Sequence, residues 1–172
     1  MTHVVLVGMM GAGKTTVGKI VADRLGRPFS DSDELIRSRT GRTVREIFRA
    51  EGETAFRAHE SAELLTALAS DVPAVIAAAG GVVLSAVNRE ALRSAGALTV
   101  WLRADPRLLV GRVGSAGHRP LLDDDPAGTL HRMFRERELL YRGVADSVVD
   151  VDGRDVEAVV EAVLATIEVT EP

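Results

Sequence analysis

The sequence predicts an α/β fold, a parallel β-sheet covered by helices on both faces. Three observations lead there. Short apolar runs alternate along the chain with stretches whose apolar residues recur at helical spacing, and strands separated by helices imply right-handed crossovers and a parallel sheet. The runs are apolar nearly throughout, as strands buried on both faces are. The first run leads directly into Gly8-Met9-Met10-Gly11-Ala12-Gly13-Lys14-Thr15, a G-x-x-x-x-G-K-[ST] phosphate loop in the strand-to-helix setting that such a loop requires.

The elements follow in order. Val4-Val5-Leu6-Val7 is the first strand, and Val17, Ile20, Val21 and Leu25 give the next segment, Lys14–Leu25, a helical face. Further strand-like runs are expected at 28–31, 74–78, 97–102 and 147–151, the one at 28–31 carrying the weakest pattern. Helical patterns fall at 44–69, 88–95, Pro106–Val113 and 127–142. The clearest helix spans 154–168, where Val156, Val159, Val160, Val163, Leu164 and Ile167 form one continuous stripe.

Composition narrows the function. A chain of 172 residues with 46% hydrophobic residues suits one globular domain over 1–172 with a real core. The net charge of −4 argues against nucleic acid as a partner. There is no cysteine, hence no disulfide and no thiolate metal site, and His3, His59, His118 and His131 lack ligand spacing. The uncharged stretch from Val72 to Val87 is interrupted by Pro73 and Gly80-Gly81, so no membrane span is expected. With a strand beginning almost at once there is no pattern of a signal peptide, which points to the cytoplasm. No unpartnered apolar stripe is evident, which suits a monomer.

In an open parallel sheet, ligands collect at the carboxyl ends of the strands. After the first strand the loop backbone would wrap a phosphate, with the helix start adding its positive dipole end. Lys14 would reach the β- and γ-phosphates, and the Thr15 hydroxyl would ligate Mg²⁺. After the second come Asp31-Ser32-Asp33. In an extended segment the two carboxylates point the same way, Asp31 toward Mg²⁺ through water and Asp33 toward an acceptor hydroxyl. An equal reading is a helix N-cap, a role that suits Ser32. After the third come Ala79-Gly80-Gly81, either a plain turn or a place where a ligand lies against backbone N–H groups. Residues 112–120 are polar, glycine-bearing and tipped with Arg112, His118 and Arg119, the pattern of a closing flap. Arg132, Arg135 and Arg137 lie on the following helix, where a solvated face is as good an account as a site.

The ordered set Asp31-Ser32-Asp33, Gly41-Arg42-Thr43-Val44, Ile47-Phe48, Glu53, Phe56-Arg57, Glu60, Gly80-Gly81, Arg119-Pro120-Leu121-Leu122, Arg137, Leu140-Tyr141 and 149–154, taken with the phosphate loop, resembles the shikimate kinases. These belong to the phosphate-loop group that is like the nucleoside monophosphate kinases. The resemblance runs from Val4 to Ile167. It implies a three-layer α/β/α domain with a five-stranded parallel sheet in the order 2-3-1-4-5, a substrate-binding helical region at 32–60 and a lid at 112–124. It implies ATP with Mg²⁺ as cofactor and shikimate as acceptor. Gly11, Ala12, Gly13, Lys14, Thr15 and Thr16 match the phosphate-binding positions, with Thr15 and Asp31 at the metal. Asp33 matches the carboxylate that binds the acceptor hydroxyls and serves as general base. Arg57 and Arg137 match the pair that holds the acceptor carboxylate, and Gly80 and Gly81 its backbone contacts. Arg119 matches the lid arginine at the transferring phosphate, and Arg112 and Arg154 flank the adenine. Two guanidinium forks suit one planar carboxylate in a way lysine would not.

The family pattern has a third glycine where this chain has Ala79; if that position required positive φ, alanine would cost about 1 kcal/mol or more. The alternative reading is a related kinase for another small polyol, gluconate or a carbocyclic cyclitol. A neutral cyclitol would leave two arginine charges without a partner.

Overall fold

The structure is a computed structural model and describes residues 2–113, 122 and 124–170. The expected lid residues 114–121 and 123, and Arg119 and His118 with them, lie outside the described residues.

Among the described residues, five strands, β1 (Val4–Val7), β2 (Phe29–Asp31), β3 (Val75–Ala77), β4 (Leu98–Arg103) and β5 (Ser147–Asp150), form one sheet in the order β2-β3-β1-β4-β5. Every neighbouring pair is parallel, with Val5 opposite Ile76 and Thr99, and Leu102 opposite Val149. This is the fold class and strand order expected. Valine-rich β1 is central and fully buried, which explains its lack of alternation.

Among the described residues, six α-helices connect the strands, α1 (Lys14–Leu25), α2 (Ser32–Thr40), α3 (Val44–Leu68), α4 (Ala86–Ser94), α5 (Pro106–Val113) and α6 (Pro126–Val144), and a seventh, α7 (Val156–Thr170), follows the last strand. Helices α1 and α7 pack on each other on one face, α1 over β2 and β3, α7 over β4 and β5. On the other, α6 packs against β4, α4 and α5, and α4 against α3. The main core lies between, built of β1, β3 and β4 with Val17, Val21, Leu64, Leu109, Leu130, Tyr141, Val160 and Val163.

Helix α2 corrects two expectations. Asp31 to Asp33 do not form an extended pair: Asp31 ends β2, while Ser32 and Asp33 are already the first turn of a helix. The cap is Asp31 rather than Ser32, its Oδ1 accepting the N–H groups of Asp33 (3.0 Å) and Glu34 (3.3 Å). The helix escapes periodicity because only Ser32 and Ile36 of its 9 residues are buried. Ile36 packs with Ile47 and Phe56 in a small second core separate from the main one. Helix α3 begins in a capping box between Thr43 and Glu46 and is interrupted at Gly52, with φ 82° and ψ 179°. That region is essentially closed to other residues, at a cost of about 1–3 kcal/mol. The break sets the direction of the following segment, which carries Glu53, Arg57 and Glu60. Among the described residues no helix is long and apolar enough to cross a membrane.

Candidate active site

A cavity of about 810 Å³ opens at the carboxyl end of the sheet and runs from the phosphate loop to the start of α3. Strands β1, β2 and β3 all deliver their following residues to it, which is why positions distant in sequence meet there.

At one end lies the phosphate loop. Gly8, Gly11 and Gly13 all take positive φ, so the chain curls back before α1 begins at Lys14. A Cβ on Gly8 would sit 2.5 Å from the Leu102 carbonyl oxygen, so the loop also lies tight against β4. Lys14 Nζ donates to the carbonyls of Gly8 (2.8 Å) and Met9 (2.9 Å), holding the ammonium across the mouth of the loop. Thr15 Oγ1 donates to Asp31 Oδ2 at 2.6 Å. One carboxylate thus caps α2 with one oxygen and orients the loop threonine with the other. Thr16 is exposed and lines the cavity, as does Arg154. Arg112 lies beside the loop, its Nη1 3.5 Å from the Gly11 carbonyl oxygen.

The same cavity is also lined by Asp33, Arg57, Gly80, Gly81 and Arg137. Burial separates the four arginines of α6: Arg132, Arg135 and Arg142 are exposed, whereas Arg137 is 4% exposed. Arg137 Nη1 donates to the Gly80 carbonyl (3.3 Å), and its Nε is buried without a protein partner. A guanidinium so placed has donors to spare for a ligand. Arg57 is braced by carboxylates on its own helix, Glu60 at 2.6 Å and Glu53 at 3.0 Å. Its guanidinium occupies the space where a side chain on Gly81 would go: a Cβ there would lie 1.8 Å from Arg57 Nη1. Phe48 and Phe56, ring centroids 4.9 Å apart, form an apolar wall beside it. Ala79 causes no backbone strain, because no non-glycine residue described has positive φ; the position does not require a left-handed residue.

Several residues here had no role assigned from sequence. Glu53 and Glu60 stand four and three residues from Arg57, a helical spacing that signals the brace. Tyr141 OH donates to the Gly80 carbonyl at 2.6 Å. Asn88 Nδ2 donates to Ser61 Oγ (2.9 Å) and to the Val82 carbonyl (3.0 Å), fixing the turn after the diglycine; nothing in the local sequence marks it.

Burial pushes the Glu60 carboxyl above its ordinary value of 4.5, and the Arg57 charge only partly offsets this. For Arg57, burial alone would lower the value, but the charges and bonds of Glu60 and Glu53 together more than reverse it. Because the native Glu60 value lies above the unfolded one, its stabilising contribution is complete below about pH 4.5 and is lost as pH rises through the native value. Glu60→Gln, which cannot ionise, should escape that loss. The difference in Tm, variant minus wild type, is expected to grow between pH 4.5 and pH 7 in thermal melts; a constant or shrinking difference would show that ionised Glu60 is not penalised.

A parallel sheet with a phosphate loop after its central strand, facing a carboxylate and two arginines across one cavity, defines a phosphate-loop kinase of the α/β class. The chain belongs to the shikimate kinase family, whose family model, described as "Shikimate kinase", matches residues 10–168. A shikimate kinase of Symbiobacterium thermophilum is 43% identical over 96% of each chain. The solved shikimate kinase from Acinetobacter baumannii in complex with shikimate superposes with a TM-score of 0.94 at 35% identity, over 99% of this chain and 95% of that one. A gluconokinase from Sinorhizobium meliloti, at TM-score 0.60 and 20% identity over 97% of this chain and 91% of that one, shares the fold.

Proposed function

We propose that the chain transfers the γ-phosphoryl group of ATP to a ring hydroxyl of shikimate, giving shikimate 3-phosphate and ADP. The observation that carries this reading is that one cavity is lined both by the phosphate loop and by Asp33, Arg57 and Arg137. Membership of the family and the shikimate-bound relative support the choice of acceptor.

In this reading the loop backbone, Lys14 and Thr16 hold the triphosphate, with Arg112 and Arg154 flanking the adenine. Arg57 and Arg137 grip the shikimate carboxylate from two sides, and the Gly80-Gly81 backbone supports the ring. The acceptor hydroxyl then faces the γ-phosphorus. Asp33 takes the hydroxyl proton as its oxygen bonds to phosphorus, and the bond to the bridging oxygen breaks to release ADP. Little covalent chemistry is asked of the protein; positioning and charge neutralisation carry the rate. Arg119, outside the described residues, adds positive charge at the transferring phosphate, the role its place in the motif implies.

The residues present fit Mg²⁺. Thr15 Oγ1 and the Asp31 carboxylate are hard oxygen donors 2.6 Å apart beside the loop, and no group of three or more ligating side chains is found among the described residues. That matches an ion held by one or two protein oxygens, phosphates and water. Held there by Thr15 and Asp31, Mg²⁺ would supply charge neutralisation to the nucleotide phosphates. Both ends of the cavity come from one polypeptide, so we assign a monomer, working in the cytoplasm where ATP is supplied.

ADP release measured over a panel of acceptors tests the reading. Strong turnover is expected with shikimate and none above background with gluconate or a neutral cyclitol. Turnover with either of those and none with shikimate would reject it.

A further inference from the structure

We propose that Tyr141 is a positioning residue for the acceptor end of the cavity, clamping the Gly80 carbonyl so that the Gly81 N–H and the Arg137 guanidinium face the acceptor. The inference rests on the reading above and adds a residue that cannot itself touch a ligand, since Tyr141 is 0% exposed.

The geometry is a three-way junction. The Gly80 carbonyl accepts the Tyr141 hydroxyl at 2.6 Å and Arg137 Nη1 at 3.3 Å, which together occupy its two lone pairs. In a planar trans peptide the N–H points opposite to the C=O. Holding the Gly80 oxygen therefore aims the Gly81 N–H the other way, and Gly81 lines the cavity. A Gly-Gly pair is the place where such a hold is needed, because neither residue has a side chain to oppose rotation of the peptide between them. The same junction seats Arg137, whose guanidinium would otherwise be free to tip within its buried slot.

The tyrosine is itself held rigidly. Its ring stacks on Trp101 of β4, with centroids 5.6 Å apart at 23°, so the hydroxyl is presented from the sheet and not from a mobile surface. Burial pushes the phenol up to about 12, with the Arg137 charge opposing, so the group remains a donor over the whole range in which an enzyme would work.

The test separates this role from ordinary core packing. Wild-type turnover with shikimate is measured first; its absence would reject the functional reading and this inference with it. Tyr141→Phe keeps the stacked ring and removes only the hydroxyl. It is expected to raise KM for shikimate, and the Kd for shikimate in calorimetry, by about 3- to 10-fold, the worth of one hydrogen bond. KM for ATP and kcat should stay within about twofold. Val163→Ala, a cavity in the core on α7 away from the junction, should lower Tm with shikimate KM within about twofold. Unchanged shikimate KM in Tyr141→Phe, equal shifts in both KM values, or an equal rise in Val163→Ala would each overturn the assignment while leaving the functional reading standing.

Discussion

Asp33→Asn is expected to lower turnover by about 10²–10⁴-fold, the usual worth of a positioned general base, while ADP binding stays within about twofold. Asparagine is nearly isosteric and keeps a carbonyl oxygen to hydrogen-bond the acceptor, so what is lost is the ability to take its proton. The fold should tolerate the change. Asp33 lies in the first turn of α2, but the cap of that helix is the Asp31 side chain, which accepts the residue 33 backbone N–H whatever the side chain there. The favourable charge of Asp33 at a helix N-terminus is worth only about 0.3–1 kcal/mol at an exposed site. ADP release with saturating shikimate, paired with calorimetry of ADP, makes the measurement. Turnover near the wild-type level would remove Asp33 from the chemistry.

The second large effect is expected at Arg137. Arg137→Ala should lower kcat/KM for shikimate by about 10²–10³-fold, since a bond to a charged group is worth about 1.5–3 kcal/mol and this guanidinium can offer two. KM for ATP should change little, because the phosphate loop is carried by β1 and α1, whereas Arg137 is on α6. Arg137→Lys should not restore the activity: an ammonium cannot make the paired, planar contact to a carboxylate. A purely structural Arg137 would predict a fall in Tm with the shikimate KM unmoved. The neighbouring arginine differs in a useful way. Arg57 already shares its charge with Glu53 and Glu60, so Arg57→Ala leaves Glu60, 3% exposed, without that partner, and its stability loss should exceed that of Arg137→Ala.

How much of this was legible in the chain depends on the range of the interaction involved. The phosphate loop could be read because its geometry is local: a strand, three glycines at positive φ and a helix start are all encoded within a dozen residues. Strand order could not come from apolar pattern, since the five runs are alike; it followed only from the resemblance to a family. Helix α2 was missed by periodicity because it buries so little, and its cap was misplaced by one residue because Asp31 and Ser32 are both good capping residues. Gly52 gave no warning either. A glycine within an apolar-periodic segment is compatible with a helix until the backbone is seen to leave helical φ and ψ there.

The linear order of residues was enough to specify an α/β parallel sheet, a nucleotide-phosphate loop and a set of charged residues suited to a carboxylated acceptor, because propensity, period and loop chemistry act over short separations. Which of the four arginines on α6 turns inward, which carboxylates brace Arg57, and that Tyr141 and Asn88 hold the diglycine turn were decided by tertiary packing. Burial and long-range hydrogen bonds depend on which surfaces are brought together when the sheet closes under its helices, and no window of sequence contains that information.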